Sequence, residues 1–147
     1  MIIIRDAQLA DMKSVRSLVK ELAVFEKAPK AVTATLGDYQ RLFREELFQC
    51  LVAQENDEII GIALFYDTFS TWKGHMMYLE DLVVTEKYRN KGVGGQLFDA
   101  FLAKSKEKGA ILAKWQVLDW NENAIQFYEK KGAEVEKGWW NVKFGLN

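Results

Sequence analysis

The sequence predicts an α/β fold in which a mixed sheet is flanked by helices. Short apolar and β-branched runs alternate with segments whose apolar residues recur at helical spacing, in the order β-α-α-β-β-β-α-β-α-β. Turn and stop residues fall between them. At 147 residues, with no repeat, low-complexity tract or long linker, the chain is expected to form one domain, 1–147, with its own core.

Residues 2–4 are a β-branched run that predicts the first strand. Asp11, Val15, Leu18, Val19, Leu22 and Ala23 then carry the spacing of an amphipathic helix, and Pro29 is expected to close that region. A second helix is predicted over 36–46, with Leu36, Tyr39, Leu42 and Phe43 on one face. Residues 48–54 and 58–66 read as strands joined by the turn at 55–57, and 74–84 as a further strand. Val93, Leu97, Phe98, Phe101 and Leu102 predict a helix that Gly109 terminates. A strand is expected over 111–118. A helix from Asn121 to Lys131 starts on an Asn and stops at Gly132, and a last strand is expected over 139–144.

Composition narrows the function. A formal net charge of −1 without a basic patch argues against a nucleic-acid partner, since the lysines within 104–108 and 130–131 lie among glutamates or at predicted helix ends. The single cysteine, Cys50, lies in an apolar stretch and reads as a buried thiol. With His75 the only histidine, histidine-dependent triads and His-rich or multi-cysteine metal sites are disfavoured, and no metal is expected. The apolar N-terminal run is too short for a signal peptide, and no stretch approaches the length that spans a bilayer. A cytoplasmic protein without a membrane partner is the default expectation.

The chemistry-bearing stretch is Arg89-Asn90-Lys91-Gly92-Val93-Gly94-Gly95, between a predicted strand and a predicted helix. Glycine lets backbone approach a ligand closely, and the N–H groups and dipole of a helix's first turn favour an anion. Arg89 and Lys91 add positive charge at the same end, which makes a pyrophosphate site. A dinucleotide fingerprint would need a glycine where Leu97 stands, and no Gly-Lys-Ser/Thr is present for a P-loop. What remains is Arg-x-x-Gly-x-Gly after a strand with the adjacent carboxylates Glu80 and Asp81.

Taken together, Y-L-E-D-L-V-V, Y-R-N-K-G-V-G-G-Q-L-F and W-N-E-N-A-I-Q-F-Y-E-K-K-G-A resemble the GNAT superfamily of acyl-CoA-dependent N-acetyltransferases. More closely, the chain resembles the diamine (spermidine/spermine) and thialysine acetyltransferase branch. K-E-L-A-V-F-E near the start, the Trp72 loop and E-K-G-W near the end extend the likeness over nearly the whole chain. The resemblance implies a mostly antiparallel central sheet with a splayed strand pair that holds acyl-CoA. It assigns Arg89, Asn90, Lys91, Gly92, Val93, Gly94 and Gly95 to the cofactor's pyrophosphate, and the backbone of Leu82, Val83 and Val84 to its pantetheine arm. It implies acetyl-CoA as cosubstrate and, by analogy, a homodimer.

The reaction sets two proton problems. An alkylammonium has a pKa of ~10, so at pH 7 roughly one molecule in a thousand is a nucleophile; the departing thiolate also needs a proton. The resemblance gives Glu80 as general base through a water, and Tyr128 as general acid, with Asn121 two helical turns before it against the pantetheine arm. Asp81 would draw in the cationic amine. Neighbouring strand residues face opposite ways, so Glu80 and Asp81 can serve one site only if the strand bulges. Glu26, Trp72, Asp81 and Trp139, together with Glu80, match the amine site of the branch. Ser70 and Phe25 depart from it, standing where polyamine enzymes carry an acidic residue and a tyrosine. A thialysine-like amine is therefore as consistent as spermidine. Two other readings stay open: transfer to another amine (amino acid, antibiotic, protein N-terminus), or a non-catalytic CoA-binding regulatory domain.

Overall fold

The computed structural model describes residues 1–147. The chain divides into two compact units, Met1–Gln116 and Val117–Asn147. The first holds a five-stranded sheet of β1 (Ile2–Asp6), β2 (Gln49–Glu55), β3 (Glu58–Ser70), β4 (Gly74–Val84) and β5 (Leu112–Lys114), in that spatial order. Neighbours from β1 to β4 are antiparallel, and β4 with β5 is parallel. Its helices are α1 (Met12–Phe25), α2 (Leu36–Arg44) and α3 (Val93–Glu107). The sheet is mixed and mostly antiparallel, as the resemblance implies.

Strand alternation sorts the core. Ile62, Leu64 and Val83 pack with Met12, Val15 and Leu18 of α1, and Leu36, Tyr39 and Phe43 of α2 close over that cluster. On the α3 side, Phe65 meets Phe101 edge-on at 5.1 Å, and Phe98 meets Trp115 at 5.2 Å. Gly61 allows α3 to approach, because a Cβ there would lie 3.0 Å from both Leu97 Cδ1 and the Val83 carbonyl oxygen. Arg5 ties β1 to the start of α1 through Asp11, at 2.8 Å.

The end of α1 differs from expectation. Pro29 does not stop it; Lys27 does, at φ 64, while Ala28 N donates to Ala23 O at 2.8 Å and Lys27 N to Val24 O at 3.1 Å. This is a Schellman cap with a non-glycine residue in the left-handed position. α2 ends the same way at Glu46, φ 58, two residues short of the sequence expectation. The cap leaves Glu26 at the last turn of α1.

β3 and β4 form a hairpin longer than expected, pairing out to Ser70 and Gly74. Ser70 Oγ accepts from Trp72 N at 3.3 Å and Lys73 N at 3.1 Å, closing the turn. β5 is shorter than the expected 111–118. It pairs with β4 only from Met76 to Tyr78, so from Leu79 onward that edge of β4 has no strand partner. This is the splayed strand pair that the resemblance implies.

In the second unit, α4 (Glu122–Lys130) is present and Gly132, φ 92, follows it as expected. The strand expected over 139–144 does not form: no residue beyond Lys130 is in a strand. This unit contains no other strand to pair with, and an isolated strand leaves its backbone groups without a ladder.

Candidate active site

β3 and β4 slip register once, between the pairs Leu64–Asp81 and Phe65–Leu79, so that Glu80 is the extra residue of a β-bulge. The bulge turns two successive side chains to the same side. Glu80 and Asp81 both line a pocket of about 450 Å³ between the sheet, the end of α1 and the start of α2. Glu26, held at the α1 cap, is the third carboxylate to reach it. The walls are Leu22, Tyr39, Leu42, Phe48 and Leu64 among others, and no Lys or Arg lines the pocket. Asp38 also borders it, but its Oδ2 accepts from Thr35 N at 2.8 Å in the capping box of α2.

Burial pushes the Asp81 carboxyl up to about 7, and the charges of Glu80 and Glu26 add to the effect. Burial also raises Glu26. Glu80, Asp81 and Glu26 face an apolar cavity that no Lys or Arg lines, so their mutual repulsion is relieved by protonation or by a bound cation. Glu80 stands at the exposed lip, where Tyr66 Oη donates to its Oε1 at 2.9 Å.

The glycine loop follows β4 through a 3-10 turn, Glu86–Tyr88, and Gly92, φ 81, is the N-cap of α3. No side chain caps that helix, so the first-turn N–H groups of Val93, Gly94 and Gly95 have no side-chain acceptor, and the first intrahelical bond runs from Gln96 N to Gly92 O. Asn90 also has positive φ, 62°. Lys91 Nζ lies 5.4 Å from the Tyr88 ring centroid. Arg89 turns inward: its Nε donates to Val84 O at 2.9 Å, and its Nη2 pairs with Glu21 Oε1 at 3.4 Å. Glu21 accepts further from Thr85 Oγ1 and Glu86 N, both at 3.0 Å. Sequence reading passed over Glu21, although it lies in the K-E-L-A-V-F-E stretch. Its partners are more than sixty positions away and only the fold brings them together.

The hairpin turn carries Trp72, which is 84% exposed. Six residue pairs, roughly 20 Å of strand, separate that turn from the bulge, and Trp72 does not line the pocket. In the second unit, Asn121 is the N-cap of α4 and its Oδ1 accepts from Ala124 N at 3.3 Å. Tyr128 lies on the same helix, its ring 5.4 Å from Phe127. Trp139 Nε1 donates to Glu136 at 2.7 Å. Cys50 is buried, and burial pushes its thiol well above the ordinary range, which rules it out as a ready thiolate.

An uncapped helix N-terminus under a glycine loop, beside an open strand edge, suits a cosubstrate with a pyrophosphate and an extended arm. The model of the acetyltransferase (GNAT) family matches residues 12–133. The chain belongs to this family, and it is an acetyl-CoA-dependent N-acetyltransferase. The thialysine N-epsilon-acetyltransferase of Bos taurus is 30% identical to it, over 97% of this chain and 92% of its own. The spermidine/spermine N(1)-acetyltransferase-like protein 1 of Homo sapiens is 31% identical over 96% of this chain, which corresponds to 22% of that longer protein. In fold, the chain is similar to a possible acetyltransferase from Clostridium difficile 630, with a TM-score of 0.84 at 19% identity over 98% of both chains. No helix is long and apolar enough to cross a membrane.

Proposed function

We propose that the chain, acting as one domain over residues 1–147, transfers the acetyl group of acetyl-CoA directly to a primary amine of a small polyamine or lysine-like, thialysine-type substrate. The observation that carries this reading is the bulge at Glu80, with Glu80, Asp81 and Glu26 around one apolar-walled pocket that has no lining cation. An alkylammonium satisfies such a pocket twice, its charge against the carboxylates and its methylenes against the walls.

When bound, acetyl-CoA supplies an activated acyl group on a thiol leaving group. Val93, Gly94 and Gly95 offer their backbone N–H groups to its pyrophosphate, with Asn90, Lys91 and Gly92 shaping and charging the loop that Arg89 braces. Leu82, Val83 and Val84 offer the open edge of β4 to its extended arm. Asp81 and Glu26 draw in the ammonium, and Glu80 takes its proton through a water. Tyr128 returns a proton to the departing sulfur, with Asn121 contacting the arm. The names of the relatives support the amine class. A homodimer in the cytoplasm, without a nucleic-acid partner, completes this reading.

Acetylation of putrescine, spermidine, thialysine and lysine by the purified protein tests it, with mass spectrometry of the products. At least one of the four is expected to be N-acetylated, with kcat/KM at least about tenfold above that for butylamine, which lacks a second polar group. CoA binding without turnover of any of them would support a non-catalytic binding domain instead.

A further inference from the structure

We infer that Tyr66 is a positioning residue for the reaction, holding the Glu80 carboxylate in the orientation from which it takes the amine proton. The inference rests on the role proposed for Glu80.

Glu80 needs such a device. It is the extra residue of the bulge, it stands at the exposed lip of the pocket, and it has no place in the Cα register of the β3–β4 ladder. A glutamate side chain there has three torsions and several staggered states of similar energy. The charged groups facing it are Asp81 next to it on β4 and Glu26 at the end of α1, with Asp38 on α2 bordering the same pocket. All are acidic, so unaided electrostatics would drive the Glu80 carboxylate out of the pocket and towards solvent.

The hydroxyl of Tyr66 opposes that. It donates to Glu80 Oε1 at 2.9 Å, while Oε2 carries no hydrogen bond within the protein and is left for a water or the ammonium. Hydrogen bonds to a charged acceptor are the stronger class. Tyr66 is itself fixed: it pairs directly with Tyr78 across the strands, and the two rings stack at 5.4 Å with an interplanar angle of 24°. The same bulge that frees Glu80 from the ladder returns Tyr78 to the Tyr66 side of the sheet. Burial, the bond to Glu80 and the nearby charges of Glu80, Tyr78 and Asp81 all raise the Tyr66 phenol, so it remains a protonated donor over the working pH range.

The test is a double-mutant cycle of Tyr66→Phe and Glu80→Gln, with kcat and both KM values measured at pH 7. Phenylalanine keeps the stack on Tyr78 and removes only the donor. Tyr66→Phe is expected to lower kcat about tenfold with KM for acetyl-CoA unchanged, because misplacing a reacting group costs rate rather than cofactor binding. In the Glu80→Gln background it is expected to have no further effect. A tenfold loss that persists in that background, or a kcat within twofold of wild type, would overturn the role of Tyr66 alone. If Glu80→Gln itself leaves kcat unchanged, the proposed base falls, and this inference falls with it.

Discussion

Glu80→Gln is expected to lower kcat about 10³-fold at pH 7, with the deficit shrinking as pH rises toward the pKa of the free amine. Freeing an amine of pKa ~10 at pH 7 costs about 4 kcal/mol, and a positioned general base typically contributes 10²–10⁴ in rate. The bulge gives Glu80 access to the pocket, and its exposed position gives it access to the water proposed to carry the proton. Glutamine preserves size and hydrogen bonding but accepts no proton. At alkaline pH the solvent supplies free amine, so the variant recovers by roughly tenfold per pH unit while the wild type does not. KM for acetyl-CoA should move by less than about twofold. A variant whose pH–rate profile overlays the wild type would remove Glu80 from the base role. Loss in Asp81→Asn without loss in Glu80→Gln would move that role to Asp81, which at about 7 is competent to accept a proton near neutrality.

Asp81→Asn is expected to stabilise the fold at pH 8 and to leave its stability unchanged at pH 4. The Asp81 carboxyl sits at about 7 in the folded protein against 3.8 ordinarily, mainly because of burial. Its folded value is raised, so below about pH 4 both states hold the proton and no cost arises. Between about 4 and 7 the unfolded chain releases it first, and stability falls as pH rises. Above about 7 the loss is complete, up to about 4 kcal/mol. Asparagine removes that titration, which for a domain of this size corresponds to a Tm higher by about 10 °C at pH 8. The same change is expected to raise KM for the amine, since it removes the charge proposed to attract it. Thermal melts at the two pH values decide the matter: an equal shift at both, or a destabilised variant at pH 8, would mean that ionised Asp81 is not strained in the free protein.

The readable parts of this fold are those written in local chemistry. Helical spacing marked α1, α2 and α3, Asn121 marked the start of α4, and Gly109 and Gly132 marked two helix ends. The glycine loop was legible because backbone conformation there depends on glycine itself. The ends of α1 and α2 were not, since Lys27 and Glu46 occupy left-handed positions that their side chains do not advertise. The bulge was legible only as a requirement. Two adjacent carboxylates say nothing about which face each takes, and register is a property of the β3–β4 pair. Tyr66 and Glu21 were missed for the same reason, their partners lying on other elements. The strand expected over 139–144 failed because alternation of apolar residues is a local pattern, whereas a strand needs a partner.

Direct transfer from acetyl-CoA to an amine held at the bulge is the central claim. It is tested by initial rates measured over a grid of acetyl-CoA and amine concentrations, using the best substrate among the four amines, with the N-acetylated product quantified. Direct transfer within a ternary complex predicts double-reciprocal lines that intersect. Parallel lines would mean that an acyl-enzyme forms and acetyl-CoA departs before the amine binds, which would contradict the account.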